Sequence, residues 1–137
     1  MGWVFDPHSG RNKTPDQLKP KIRKRIENFA AEYYAGKCTR LEIRFRGQLC
    51  YIDAYTEPVA NENWPPGDWP ETREEYIEHM RNTPIHLCRL RYFSADRWSM
   101  AFDTYSNEKY TPSIFNTGDF IGTPEEAFDT SAVYLTA

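Results

Sequence analysis

Nothing in the 137 residues approaches the roughly 20 consecutive apolar residues needed to span a bilayer. Met1-Gly2-Trp3-Val4-Phe5-Asp6 lacks the basic and apolar regions of a signal peptide, so a soluble, cytoplasmic protein with no membrane partner is expected. Cysteine is sparse. Cys38, Cys50 and Cys88 are odd in number and widely spaced, which argues against a disulfide framework and a zinc knuckle and for reduced, buried thiols. Low-complexity tracts are absent. So are His-Glu-x-x-His, a Gly-rich phosphate loop, a nucleophile elbow and EF-hand spacing, while His8, His79 and His86 are too scattered for a metal signature. These absences count against metal hydrolases, nucleotide-dependent enzymes and serine hydrolases together, and no metal or cofactor is expected. A triad assembled from distant residues would leave no linear trace.

Aromatics are what the chain has instead: 9 Tyr, 8 Phe and 4 Trp must supply much of the core and leave polar tips at its surface. The length suits one domain spanning residues 1–137, enough to bury a core without staples. Net charge is −3 but unevenly placed, about +6 over residues 1–47 and about −9 over residues 48–137. The two parts can attract each other, or the basic part can meet an acidic partner or RNA. The low isoelectric point makes nucleic acid the less favoured partner.

Thr14-Pro15-Asp16-Gln17 carries the Thr and Gln of a capping box with Pro at the first helical position. Leu18, Ile22, Ile26, Phe29, Ala30, Tyr33 and Tyr34 then recur at three- and four-residue steps, a helical stripe closed by Gly36. Pro20 removes a backbone donor, which moves the regular start to near Lys19. Lys19, Lys21, Arg23, Lys24 and Arg25 fall on the outward part of this helix, as a solvated face or a contact for RNA or an acidic subunit. Thr72-Arg73-Glu74-Glu75 and Thr123-Pro124-Glu125-Glu126 are two further capping boxes. The first opens a short helix to about Arg81 with Tyr76, Ile77 and Met80 as its packing face.

Two stretches read as the same hairpin written twice. Arg44-Phe45-Arg46-Gly47 returns through Ile52-Asp53-Ala54-Tyr55-Thr56, and Arg91-Tyr92-Phe93 returns through Phe102-Asp103-Thr104-Tyr105-Ser106. With Arg46-Gly47 as a two-residue turn, Phe45 faces Gln48, Ile43 faces Cys50 and Leu41 faces Ile52, giving one apolar side. In the second copy Tyr92 faces Trp98, Leu90 faces Met100 and Cys88 faces Phe102. There the small Ser99 and Ala101 on the other side predict a local concavity. His86, on the parity of Cys88 and Leu90, reads as a core-edge histidine rather than a base. Pro112 marks a following strand as an edge, and Asn107-Glu108 reads as the turn before it.

The polar side of both hairpins gathers the strongest candidate residues: Arg44, Tyr51, Asp53 and Tyr55 with Arg89, Arg91, Asp103 and Tyr105. Arginine forks suit phosphate or carboxylate, tyrosines stack or donate, and an aspartate can orient a base or a water. The same set also reads as a salt-bridge lattice on a solvated sheet. Between the hairpins, Trp64-Pro65-Pro66-Gly67-Asp68-Trp69-Pro70 is a stiff extended loop. Its Trp64 and Trp69 either dock a partner or, as the preferred expectation, fold back as plugs over the core edge.

An α+β fold is therefore expected: a long N-terminal helix packed on one face of an antiparallel sheet of about five strands, with a short helix between the two hairpins. The leading functional expectation is a small binding or interaction protein without catalysis. Its polar sheet face would meet a small anionic ligand, a protein partner or a second copy of the chain. The alternative is a small hydrolase or ribonuclease-like enzyme using the Arg, Asp and Tyr set. An enzyme should gather Arg44, Arg91, Asp53 and Asp103 into one concave pocket, whereas a binding module spreads them over a surface.

Overall fold

The computed structural model describes residues 13–58, 62–104 and 109–135, with backbone alone at 103, 104, 109 and 110. Trp3, Phe5, His8, Asn107 and Glu108 lie outside the described residues. The helical stripe becomes α1, Lys19–Tyr33, which buries Ile22, Ile26 and Ala30 and leaves Tyr33 exposed. The Thr14 capping box does not form. Leu18 takes the cap position with helical backbone angles, its amide and that of Lys19 both bond the Pro15 carbonyl, and the buried Thr14 hydroxyl has no partner. Pro20 is tolerated because first-turn amides have no intrahelical acceptor to lose. The other two boxes are complete. Thr72 caps α2, Arg73–Arg81, and Thr123 caps α3, Pro124–Ser131, which runs on into a 3₁₀ turn, Ala132–Leu135.

Five strands form one antiparallel meander: β1, Arg40–Arg46; β2, Leu49–Tyr55; β3, Ile85–Ser94; β4, Arg97–Thr104; β5, Lys109–Ser113, with spatial order equal to chain order. Pro112 sits in the edge strand β5, where a missing amide costs no interior ladder bond. On one face Ile43, Ile52, Cys88, Leu90, Trp98 and Met100 meet α1 and α3 in the core. This is the expected α+β arrangement. Cys38, Cys50 and Cys88 are free thiols, and burial pushes the Cys50 and Cys88 thiols well up from their ordinary value. Among the described residues no helix is long and apolar enough to cross a membrane.

The register of the second hairpin is as expected at Leu90 with Met100 and Tyr92 with Trp98. That of the first is not. The turn is Gly47-Gln48, so Phe45 faces Cys50, Ile43 faces Ile52 and Arg44 faces Tyr51. Gly47 adopts φ +60°, which suits a glycine at the first central position of a two-residue hairpin turn. Partners move by two residues while the faces are unchanged, because side chains alternate with period two.

Moving the turn gives Gln48 a structural role. It is 5 % exposed, its carbonyl accepts from the Tyr92 amide, its Nε2 donates to the Tyr92 carbonyl at 2.9 Å, and its Oε1 accepts from Arg91 Nη1 at 2.9 Å. The tip of one hairpin is thus bolted to the next. Replacing Gln48 by Ala removes both side-chain bonds and leaves the half-buried Tyr92 carbonyl without that partner. The variant should lose about 1–3 kcal/mol in urea unfolding. A loss inside experimental scatter would show that water substitutes fully for the amide.

Much of the outward basic face of α1 is also structural. Arg25 forks onto Glu125 of α3 at 2.8 and 2.9 Å and reaches Asp96 and the Ala95 carbonyl in the β3–β4 turn. Arg23 stacks over Phe45 and donates to the Ile43 carbonyl, covering the edge of β1. At the far end of α1 the Tyr34 hydroxyl donates to Asp129, whose other oxygen takes Asn116. That hydrogen bond, with burial and the Asp129 charge adding to it, pushes the Tyr34 phenol up from 10.0 to about 12. A raised folded-state value means that the bond contributes fully below pH 10 and is lost as pH rises through about 12. Wild-type stability should therefore fall across that window, and Tyr34→Phe, less stable at neutral pH, should fall less. Parallel alkaline profiles of the two proteins would refute the assignment.

Candidate functional site

The side of the sheet away from α1 and α3 is covered by no helix among the described residues; α2 makes no extended contact with any strand. Cross-strand pairing lays out its residues in rows. One row runs Arg44, Tyr51, Arg89, Ala101, Pro112, and the next runs Arg46, Leu49, Arg91, Ser99. Tyr51, Asp53 and Tyr55 share this face because they alternate with the core residues Cys50, Ile52 and Ala54.

Asp53 is the anchor. Its side chain is only 4 % exposed, and its two oxygens take Arg44 Nη2 at 3.0 Å and His86 Nδ1 at 2.8 Å. An ionised carboxylate only accepts, so the imidazole nitrogen facing it carries a proton. His86 is here because of a β-bulge. Ile52 faces Cys88 but Asp53 faces His86, so Leu87 is the extra residue, and Leu87 and Cys88 both turn into the core. The expectation of a core-edge histidine is corrected: one inserted residue reverses parity and places His86 on the polar face.

Around Asp53 the polar groups form a linked set. Arg44 stacks over Tyr51 at 5.2 Å, Arg40 over Tyr55 at 3.9 Å, and the Tyr55 hydroxyl donates to Glu42 at 3.0 Å, which raises the Tyr55 phenol above its ordinary value. Arg89 and Arg91 lie one strand further on. They line a depression of about 270 Å³ whose floor includes Ser99 and Ala101 and whose far wall includes Pro112 and Phe120. Arg44 borders a different depression, with Arg23, Phe45, Arg46 and Tyr51. The face therefore brings Arg44, Tyr51, Asp53 and Tyr55 together, with Arg89 next to Tyr51 across the strand pair, while Arg89 and Arg91 line a depression that Arg44 does not. Backbone parity puts Asp103 on this same face, but its side chain, like Tyr105 altogether, lies outside what is described.

Sequence reasoning missed Glu42, Gln48 and His86. Period-two alternation places Glu42 on the polar face, but the other two depend on a turn position and a bulge that have no sequence signature here.

The tryptophan loop also departs from expectation. Trp64 and Trp69 do not plug the core; they pack on one another at 5.1 Å and on Tyr76 of α2 at 5.7 and 6.2 Å, a cluster separate from the main core. Arg73 donates to the Trp64 carbonyl, which fastens the loop to the start of α2, and Glu57 pairs with Arg81 at its end. Ile77 and Met80 do not bury, because α2 meets its own loop rather than the sheet.

Fold and site together define a helix-backed antiparallel sheet with one open, arginine-rich face. No protein-family model, no curated protein and no solved structure matches the chain.

Proposed function

We propose that the protein is a small binding module whose open sheet face takes an anionic partner. The observation that carries this reading is charge placement. Arg40, Arg44, Arg46, Arg89 and Arg91 outnumber the carboxylate positions Glu42, Asp53 and Asp103 on the face that no described helix covers, in a chain whose net charge is −3. Positive potential concentrated on one face steers an anionic partner to it even when the whole molecule is acidic. The spacing of Arg44 and Arg91 into separate depressions supports a surface rather than a single hydrolytic pocket. Three free thiols, two sealed in the core, support a reducing, cytoplasmic setting.

Retention on a sulfated polysaccharide matrix tests the reading. The wild-type protein should bind at low salt and elute as salt rises, and Arg46→Gln, at an exposed position, should elute earlier at an unchanged thermal midpoint. Wild-type flow-through at low salt would remove the proposal.

One observation favours the hydrolase or ribonuclease-like alternative: a buried carboxylate holding a partly exposed imidazole is the arrangement that orients a general acid or base. RNA cleavage by the purified protein that disappears in His86→Ala would establish that reading.

A further inference from the structure

The depression between β3 and β5 differs in character from the rest of the open face. One wall is guanidinium, from Arg89 and Arg91, while the opposite wall holds Pro112 and Phe120, the latter 70 % exposed at the rim, and the floor between them carries the small Ser99 and Ala101. The cavity exists because two small residues, Ser99 and Ala101, occupy neighbouring same-face positions of β4, where a longer side chain would fill it. Arg91 is held in place by its bond to the buried Oε1 of Gln48. The site is thus built from the scaffold, with its charged wall braced from behind.

The exposed Phe120 ring across from two arginines suits a ligand that is itself two-sided. A bare inorganic anion would use the guanidinium wall and leave the apolar wall wet. A neutral hydrocarbon would do the reverse and sit against two desolvated charges. About 150 Å³ is enough to hold benzene in an apolar cavity, so the space here admits up to two fused rings with an anionic group at one edge. Another depression, about 570 Å³ between the 36–39 loop, α2 and the closing 3₁₀ turn, sets Lys37 with Glu57 on its lining and has no comparable division of charge and apolar wall.

We propose that the groove walled by Arg89 and Arg91 on one side and by Pro112 and Phe120 on the other is a binding site for a small aromatic anion. The carboxylate or phosphate sits on the guanidinium wall and the ring against Phe120. This rests on the reading of the open face as an anion-binding surface and adds to it a place and a ligand class. The anionic group supplies orientation, since guanidinium forks match planar and tetrahedral oxyanions alike. The ring supplies most of the discrimination against inorganic anions, through the area it removes from water.

Calorimetric titration and amide chemical-shift mapping with naphthyl phosphate, naphthoate, inorganic phosphate and neutral naphthol test the proposal. The two aromatic anions should bind at least about tenfold tighter than either inorganic phosphate or naphthol, with shifts centred on β3, β4 and Phe120. Phe120→Ala and Ser99→Leu should each weaken them about tenfold. Phe120 is largely in solvent, so its variant keeps the fold and decides the matter if Ser99→Leu does not fold. Equal affinity for inorganic phosphate and naphthyl phosphate, or indifference to Phe120→Ala, would overturn the aromatic site. Absence of all small-anion binding with polysaccharide retention intact would overturn the groove and spare the face. Loss of both would remove the two proposals together.

Discussion

Trp98→Ala should cost about 3–5 kcal/mol of unfolding free energy, the largest single-residue loss expected among the described residues. Trp98 is fully buried, and three kinds of contact converge on it. Its ring meets Tyr92 edge-on at 5.1 Å, its Nε1 donates to the Ala95 carbonyl at 2.9 Å, and its backbone exchanges hydrogen bonds with Gly122, which precedes α3. Gly122 fits because a Cβ there would meet the buried Phe115 ring at 2.8 Å. Truncation to Ala opens a cavity beneath the β3–β4 turn, while the backbone exchange with Gly122 survives. Trp98→Phe keeps most of the volume and loses the indole bond, so its loss should be less than half as large. Urea unfolding of the two variants measures this, and near-equal losses would mean that the hydrogen bond, not the packing, dominates.

The second large effect is conditional. Arg44→Ala with His86→Ala leaves the Asp53 carboxylate buried without its guanidinium and imidazole partners and should lose about 3–5 kcal/mol, because an uncompensated buried charge is costly. Adding Asp53→Ala to that pair should recover a large part of the loss, since the charge itself is then gone. Asp53→Ala alone should cost less than the double variant: Arg44 and His86 are 51 % and 36 % exposed, so water solvates them once the carboxylate is removed. Denaturant unfolding of the three variants tests the order. A triple variant no more stable than the double would show that the polar set holds the sheet by packing rather than by charge. The comparison also separates structure from binding, because a face that keeps its arginine rows after Asp53→Ala should still be retained on the anionic matrix.

Legibility varied between elements for identifiable reasons. The boxes at Thr72 and Thr123 are closed by residues three apart, so they form as read. At Thr14 the same spacing fails, because the Thr14 amide bonds the Gly47 carbonyl of the first hairpin and the segment follows the sheet instead. The apolar sides of both hairpins are readable from alternation, and the one-residue shift of the first turn, which moves partners by two, leaves them intact. The bulge at Leu87 was not readable. It reverses the parity of His86 and Ile85 together, setting Ile85 opposite the core residue Ala54, and it depends on long-range packing, since Leu87 and Cys88 both lie in the core.

Composition misled for the tryptophans. An aromatic-rich chain suggests that Trp64 and Trp69 belong to the core, yet a proline-stiffened loop packs them locally against Tyr76. Of the eight sheet residues singled out, the four on β1 and β2 meet around one carboxylate, a grouping that alternation supports without naming its centre.

By itself the sequence determined the class of fold, the order of helices and strands, and which side of each hairpin is dry, because these follow from periodicity and local capping within a few residues. Tertiary structure alone decided that Gln48 bolts the hairpins together, that His86 joins Asp53, and that Arg89 and Arg91 wall a groove apart from Arg44. Those outcomes depend on where an extra residue or a turn is accommodated between strands, and that choice is made by packing among segments distant in the chain, which no local pattern encodes.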